Sequence, residues 1–550
     1  MKARFSPLLA VALSLPGAGP AHAQADPRLT NCRTYTPPLE QHIAACTQIL
    51  ADPKVDPKSR ELTDRANMNL MALRADWSGM LAEADKRLAQ NRDDPSAYDY
   101  RAYALFRRGQ PGDKELARAA TDEGLKRDPR NVSLLPMKAL YLAELGQIDE
   151  ALKVANEALQ ISPDDSSALN ARGLIHEMKD NITAALADYE KAIAVMPSNF
   201  GAVRNRAMLL DAIYRLPEAL AAYDQAIALA PDYRGVFRDR GILRIQMGQI
   251  EGGIADLTEA IRRDPGDPDA FYNRGRAYQL GKTDDPRAWT DYDAALRLNP
   301  REQRAFNNRA ILKYMNGDKA GAQADAEEAI RLDPRDHNPR ITLGRVLRDQ
   351  GKLAASLDVI DAAVRIEPAS GPAHNARGVT LLRMGRFSEA AEAFGRATAL
   401  QKTNGQYIAN RGDARLGTGE LTEAMADYNM AISLGYRAPD LYEHRGLIYL
   451  AQHDFKAADA DFQTALSMSP KLATSLAFRA LIMLRDGKPT AALATVDQAL
   501  LIEREHVQAL VVKGELLRLI GRQVEADAHS RRARELDPQL AEYVRRLAKP

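Results

Sequence analysis

Three residues near the middle of the chain, Gly281-Lys282-Thr283, match the end of a phosphate-binding loop, where backbone amides, a lysine and a hydroxyl together hold a phosphate. The earlier glycine of such a loop falls on Arg276, and the segment closes a helical pattern instead of following a strand. No nucleotide site is therefore expected there. His176-Glu177 starts like a zinc-protease helix, but residue 180 is Asp where the second His would stand. No G-x-S-x-G nucleophile turn occurs. The nine histidines are scattered singly; His444 and His453 are not at i, i+4 spacing and are expected on solvated surface. Catalytic, metal and cofactor residues are thus expected to be none.

The elements that carry these residues are helical. The composition is 45% hydrophobic and 27% charged, with Ala, Leu, Arg, Asp and Glu prominent and aromatics only 6%, which suits helices better than sheets. Lys plus Arg count 75 against 74 for Asp plus Glu, a balance unlike the basic excess of a nucleic-acid binder. Residues 1–23 read as a secretory signal peptide: Lys2 and Arg4, the apolar run Leu8 to Leu15, then Ala21-His22-Ala23 as cleavage site. The mature chain is expected to begin at Gln24, with no lipoprotein Cys after the cleavage site, in a periplasmic or secreted location. No later run is long and apolar enough to span a membrane. Cys32 and Cys46 are the only cysteines. In an exported protein an even count reads as a disulfide, which would staple a strap over residues 24–57 to a helix near Glu40 to Leu50. Closing that loop is worth about 3 kcal/mol.

A 34-residue period organises the rest. Pro recurs at 129, 163, 197, 231, 265, 300, 334 and 368, then at 470 and 538, in steps of 34 with a single 35. Lys402, Tyr436 and Arg504 stand at the missing places. A Gly/Ala series runs in phase from Ala139 to Gly514, and Ala occupies one place in every copy from Ala158 to Ala533. Each copy reads as two amphipathic helices around a tight turn. Gly173 admits close packing, Tyr189 fills the space left by small residues, and Pro197 ends the copy. The turn is often Gly-based, as at Gly146, Gly248 and Gly419. The segment Gly281 to Pro286 holds one extra residue, and Ile360 and Ser530 replace the aromatic in two copies. Gln401 to Gln406 and Ser433 to Pro439 replace the Pro junction with Gly-containing linkers, places where the pitch could change.

Arg precedes the small residue in nine copies, and in six of them an Asp stands just before the aromatic place. The pairs are Arg172/Asp188, Arg240/Asp256, Arg274/Asp291, Arg309/Asp325, Arg411/Asp427 and Arg445/Asp461. They are expected to bridge the two helices of a repeat through bidentate contacts.

Small, small, aromatic, small and Pro at these offsets resemble the tetratricopeptide repeat (TPR), here of an exported bacterial type. The resemblance implies an all-α, right-handed superhelix, an α-solenoid of helix-turn-helix repeats. Residues 58–132 are expected to form irregular repeats, 133–538 the regular array, and 539–550 a capping helix with Tyr543 and Leu547 inward. The chain stops there, so no catalytic domain or barrel is expected. The resemblance further implies that first helices line a concave groove, and some TPR superhelices hold peptide backbones with Asn ladders. The matching candidates here are Asn205, Asp239, Asn273, Asn308, Asn410 and His444, with Arg204, Arg238, Tyr272, Arg276, Asn307, Tyr314, Arg345 and Arg348 nearby. An Asn amide both donates and accepts, so it suits a backbone of any sequence. The expected function is a periplasmic scaffold for protein or peptide partners, not an enzyme. The alternatives are a subunit of an envelope or polysaccharide-export assembly, and a hidden enzyme subunit. Partner identity and oligomeric state are not readable.

Overall fold

The structure is a computed structural model that describes residues 39–74, 76–231, 233–281 and 286–548. The signal segment, Cys32, Lys282-Thr283, the extra turn residue before Pro286 and Lys549 lie outside the described residues. Among the described residues are thirty helices and no strand. The chain divides after Pro300 into two compact units, each an α-solenoid of antiparallel helix pairs.

One repeat of the first unit shows why these residues fold so. Asp165 caps the first helix, Ser166–Met178, by accepting from the Ala168 amide at 2.7 Å. Asn181 caps the second helix, Ile182–Val195, in the same way. Met196 then turns extended, and Pro197 follows. A Cβ placed on Gly173 would lie 2.7 Å from Cε1 of Tyr189, so glycine is what lets this ring sit between the helices. Tyr189, Ala185 and Ala192 are wholly buried. Burying such a ring stabilises by about 2 kcal/mol.

The second unit repeats the contact. A Cβ on Gly378 would meet Phe394 at 2.6 Å, on Gly412 Tyr428 at 2.8 Å, and on Gly446 Phe462 at 2.8 Å. The aromatic place varies more than Ile360 and Ser530 alone suggest. Leu257 fills it opposite Gly241. Where the first helix carries Ala139, Ala310 or Ala480, the facing residue shrinks to Ala155, Ala326 or Val496 within the same buried cluster. In these three the larger Ala is matched by a smaller partner, whereas Ala207 shares its buried cluster with the full ring of Tyr223.

All six expected Arg–Asp bridges are present and bidentate. In each, Nε and Nη2 of the Arg donate to the two carboxylate oxygens at 2.6–2.9 Å. The six Asp are buried. The Arg also reaches backward. Nη1 of Arg172, Arg240, Arg274 and Arg445 donates to Asn156, Asp224, Thr258 and Asn429 on the second helix of the preceding repeat. Arg206 and Arg377, which lack the Asp, pair with Glu190 and Asp361 at that same backward place. One guanidinium thus ties two helices of its own repeat and the repeat before it.

The turns inside the repeats need a left-handed residue. Gly146, Gly248, Gly317, Gly351, Gly385, Gly419, Gly487 and Gly521 supply it at φ 71–83°. Asp180, Tyr214 and His453 hold the same place at φ 60–62°. For a non-glycine residue that conformation costs about 1–2 kcal/mol. The linker after Ser433 differs again: helix Leu421–Ser433 ends through Gly435 at φ 84°, where the other repeats run into extended backbone.

At the N-terminal side, helix Leu39–Ala51 is capped by the Arg60 guanidinium, which donates to the carbonyls of Leu50 and Asp52. Cys46 on that helix is wholly buried. At the other side, helix Pro538–Ala548 buries Ala541, Val544 and Leu547, and Arg485 donates to the Leu547 carbonyl at 3.0 Å. Tyr543 is 45% exposed, contrary to its expected inward position. The apolar stripe follows steps of three, and Tyr543 lies about 100° off it.

Candidate functional site

Within each unit, first helices approach the first helices of neighbouring repeats, and second helices show no comparable approach. In each unit the first helices therefore form a face of their own. The expected groove residues stand two or three positions before the small Gly/Ala of their first helices, or one or four positions after it.

In the first unit, most of these residues are bonded within the chain. Asn205 is only 4% exposed, and its amide donates to Oδ1 of Asn170 on the previous first helix at 3.0 Å. Asn273, 6% exposed, donates to the Asp269 carbonyl of its own helix. Asp239 accepts from Arg204 at 3.0 Å and from Arg238 at 3.2 Å, and Arg238 also donates to Asp267 at 2.7 Å. Burial alone would lower the pKa of Arg238, but Asp239 and Asp267 outweigh it and hold the guanidinium well above its ordinary value. Tyr272 is buried, with its ring 6.0 Å from Tyr292. Arg276 is exposed.

The second unit shows the same habit with more open positions. Asn307 accepts from the Thr342 hydroxyl at 2.9 Å, and the Asn410 amide donates to Asn375 at 2.9 Å. Asn308 is partly buried. Tyr314 donates to Asp349 on the next first helix, and the Arg345 guanidinium lies 5.9 Å from the Tyr314 ring centre. Arg345 is exposed. His444 is not a solvated surface residue: its Nδ1 stands 2.7 Å from Oδ1 of Asp413, which also accepts from the Tyr428 hydroxyl at 2.8 Å. Burial pulls the His444 pKa down, but the bond to Asp413 and its charge prevail and hold it above the usual 6.5. His453 is exposed.

The structure thus gathers the candidates by repeat, through contacts from one first helix to the next. It also adds groups that sequence reasoning passed over. Glu177 accepts from the Tyr189 hydroxyl at 3.0 Å, and burial raises its pKa. Gln279 accepts from the Tyr292 hydroxyl at 2.8 Å. The core tyrosines therefore reach through the first helix to its outward side, a signal visible in the Tyr-for-Phe choice once a polar residue on the first helix is paired with it. His176 lies 3.9 Å from Asp188 and faces that Asp together with Arg172.

This architecture has matches among known proteins. A tetratricopeptide-repeat profile matches residues 110–166, 137–195, 170–234, 308–372, 375–441 and 444–504, and a second one matches 212–272. The chain belongs to the tetratricopeptide-repeat family. No curated protein matches its sequence. Among solved structures, the TPR chain is similar to one in the APC/C hetero-tetramer Cut9–Hcn1, at 14% identity over 92% of this chain and 98% of that one, TM-score 0.48. It is similar to a tetratricopeptide repeat protein of Parabacteroides merdae at 21% identity, over 46% of this chain and 98% of that one, TM-score 0.39. Human IFIT1, as a dimer with m7Gppp-AAAA, matches at 17% identity over 68% and 90%, TM-score 0.41. At these identities the likeness is one of fold. No described helix of the TPR chain is long and apolar enough to cross a membrane.

Proposed function

We propose that this TPR chain is an exported interaction scaffold that holds an extended segment of a partner protein along its first-helix faces. The observation that carries the reading is the polar first-helix face of each unit. Within each unit successive first helices touch, and polar pairs 35 residues apart tie them together, as in Asn170–Asn205, Arg204–Asp239, Asn307–Thr342 and Asn375–Asn410. A face that repeats suits a ligand that repeats, and a peptide backbone does so. The exposed Arg276 and Arg345 supply anchors that are not consumed internally. Asn205 and Asn273 act here as internal struts, and the exposed side chains make the contacts. In this reading residues 1–23 direct export to the periplasm, and Cys32 pairs with buried Cys46 to fasten the N-terminal strap.

Crosslinking and pull-down from the cell envelope test this, with the mature chain compared with an Arg276→Ala/Arg345→Ala variant. Loss of a captured partner from the folded variant is the expected result. Capture of the same partners by both would move the binding surface elsewhere and favour a structural role in an envelope assembly.

A further inference from the structure

In the second unit the terminal helix Pro538–Ala548 folds back onto the first helix Val507–Leu519, and a cavity of about 330 Å³ opens beside it. Its lining comes from four successive first helices, from the one that carries Leu416 to the one that carries Gln508, and from the terminal helix. Among the described residues no charged side chain lines it. Leu416 and Leu421 also pack against the buried cluster around Tyr428, and Leu447 and Leu540 against the cluster around Phe478. Two parts of the core meet here without filling the space between them, and these four leucines stay only partly buried. The lining of such a space lacks contacts on one side, so the space favours an apolar ligand over water. The polar groups gather toward one end. The earlier helices contribute only Leu, Ile and Ala, whereas Thr474, Gln508 and Tyr543 come from the later ones. Oγ1 of Thr474 is 3.2 Å from Nε2 of His506, but the side chains of Gln508 and Tyr543 have no hydrogen-bond partner among the described residues. Tyr543, left off the buried stripe of the terminal helix, lines this cavity instead.

We propose that this cavity binds a single medium-length aliphatic chain with an uncharged, hydrogen-bonding end group, such as a monoacylglycerol. The proposal does not depend on the scaffold reading above. Charge selects the end group. A carboxylate or an ammonium would enter a lining that offers no counter-charge, and burying it there is costly. A hydroxyl or an ester meets the Gln508 amide, which both donates and accepts, and the Tyr543 hydroxyl. The nearest firmly placed cation is spent elsewhere: Arg485 donates to the Leu547 carbonyl at 3.0 Å and lies 4.3 Å from the centre of the Phe455 ring. Size and wall chemistry select the chain. The volume is near the lower end for small-molecule sites, which suits one chain and not a two-chain lipid. Its tail would lie against Leu416, Leu421 and Leu447, and covering these partly buried leucines supplies the driving force. A peptide fits less well, because its backbone would bring amides against leucine walls that cannot pair with them.

The test is isothermal titration calorimetry of the mature full chain with monodecanoylglycerol below its micelle concentration. Binding is expected with a negative heat-capacity change, and decanoate and decyltrimethylammonium are expected to bind about tenfold more weakly or less. Thr474→Phe fills the space and is expected to weaken monodecanoylglycerol by about tenfold or more. Gln508→Leu keeps the apolar walls and removes the amide, for an expected loss of about fivefold. Thermal unfolding of both variants establishes that they are folded. No binding by wild type overturns the proposal, as does unchanged affinity in Gln508→Leu or in folded Thr474→Phe. Decanoate binding as tightly as monodecanoylglycerol would overturn the uncharged end group. Displacement by a repeating Ala-Leu peptide at equal affinity would give the cavity to a peptide side chain and overturn the proposal too.

Discussion

Two sets of arginines in the same chain live under opposite conditions. Those beside the small residue of each repeat, such as Arg172, Arg240 and Arg445, close on a buried Asp with both arms and spend the third donor on the preceding repeat. Arg348, at a similar depth, holds one long contact. The first set answers to the helix–helix seam, which recurs in every repeat and must be satisfied in every repeat. The second belongs to a face where no seam demands closure. Burial alone therefore does not tell a closed cation from an open one. The count of satisfied donors does.

The sharpest way to break this contrast is Asp256→Ala. Asp256 accepts from both Arg240 and Arg244, so its loss leaves Arg244 without that carboxylate and Arg240 with Asp224 alone. A cost of about 3 kcal/mol is expected in urea unfolding, against no loss for Arg348→Met. Equal effects of the two changes would erase the distinction. Next in size is Gly241→Leu at the seam itself, where a Cβ would lie 2.9 Å from Leu257 and 3.1 Å from the Gly253 carbonyl. Overpacking there should cost about 1–3 kcal/mol, and an unchanged midpoint would show that the seam is softer than its contacts imply. Tyr214→Gly should act in the other direction. Tyr214 is 71% exposed at φ 62°, so relief of its left-handed strain should stabilise by about 1 kcal/mol with little packing to lose. A lower midpoint would mean that the exposed ring makes contacts worth more than the strain.

The smallest expected effect concerns the first-helix face alone. His444 has a folded pKa above its ordinary 6.5. Its bond to Asp413 therefore contributes fully below about pH 6.5 and is lost as pH rises through the raised value. The difference in unfolding free energy between pH 5.5 and 8.5 should shrink by a few tenths of a kcal/mol to about 1 kcal/mol in His444→Gln. The same pH dependence in both proteins would show that other groups dominate there.

How much was legible in the sequence follows the same division. The Arg–Asp and Gly–aromatic pairs of the seam could be read, because they recur at a fixed offset within one repeat: Arg172 finds Asp188, and Gly173 finds Tyr189. The first-helix face could be located but not resolved. Its contacts run between repeats, from Asn205 back to Asn170 and from Asn410 back to Asn375 over 35 residues, but the residue types that meet differ from copy to copy, and His444 reaches Asp413 over 31. Whether an Asn there is a strut or an open contact depends on which neighbour stands opposite, and the repeat pattern does not specify that. Tyr543 was misplaced for a simpler reason. A short final helix has apolar residues at several spacings, and only packing against helix Val507–Leu519 selects Ala541, Val544 and Leu547 as the buried stripe.

The backward reach of the seam arginines bears on how such a chain can lengthen. The places they read, Asn156, Glu190, Asp224, Thr258, Asp361 and Asn429, differ in residue type, but each offers an oxygen that accepts a hydrogen bond. Any of these arginines could therefore follow any of these neighbours. If one 34-residue period were excised, Arg274 would stand opposite Asp224 and the joint would still close. At this joint the array tolerates unequal exchange between its own copies, so loss or gain of a repeat leaves no chemical scar there. The first-helix face has no such immunity, because a change in repeat number within a unit would set new pairs of side chains opposite one another along it.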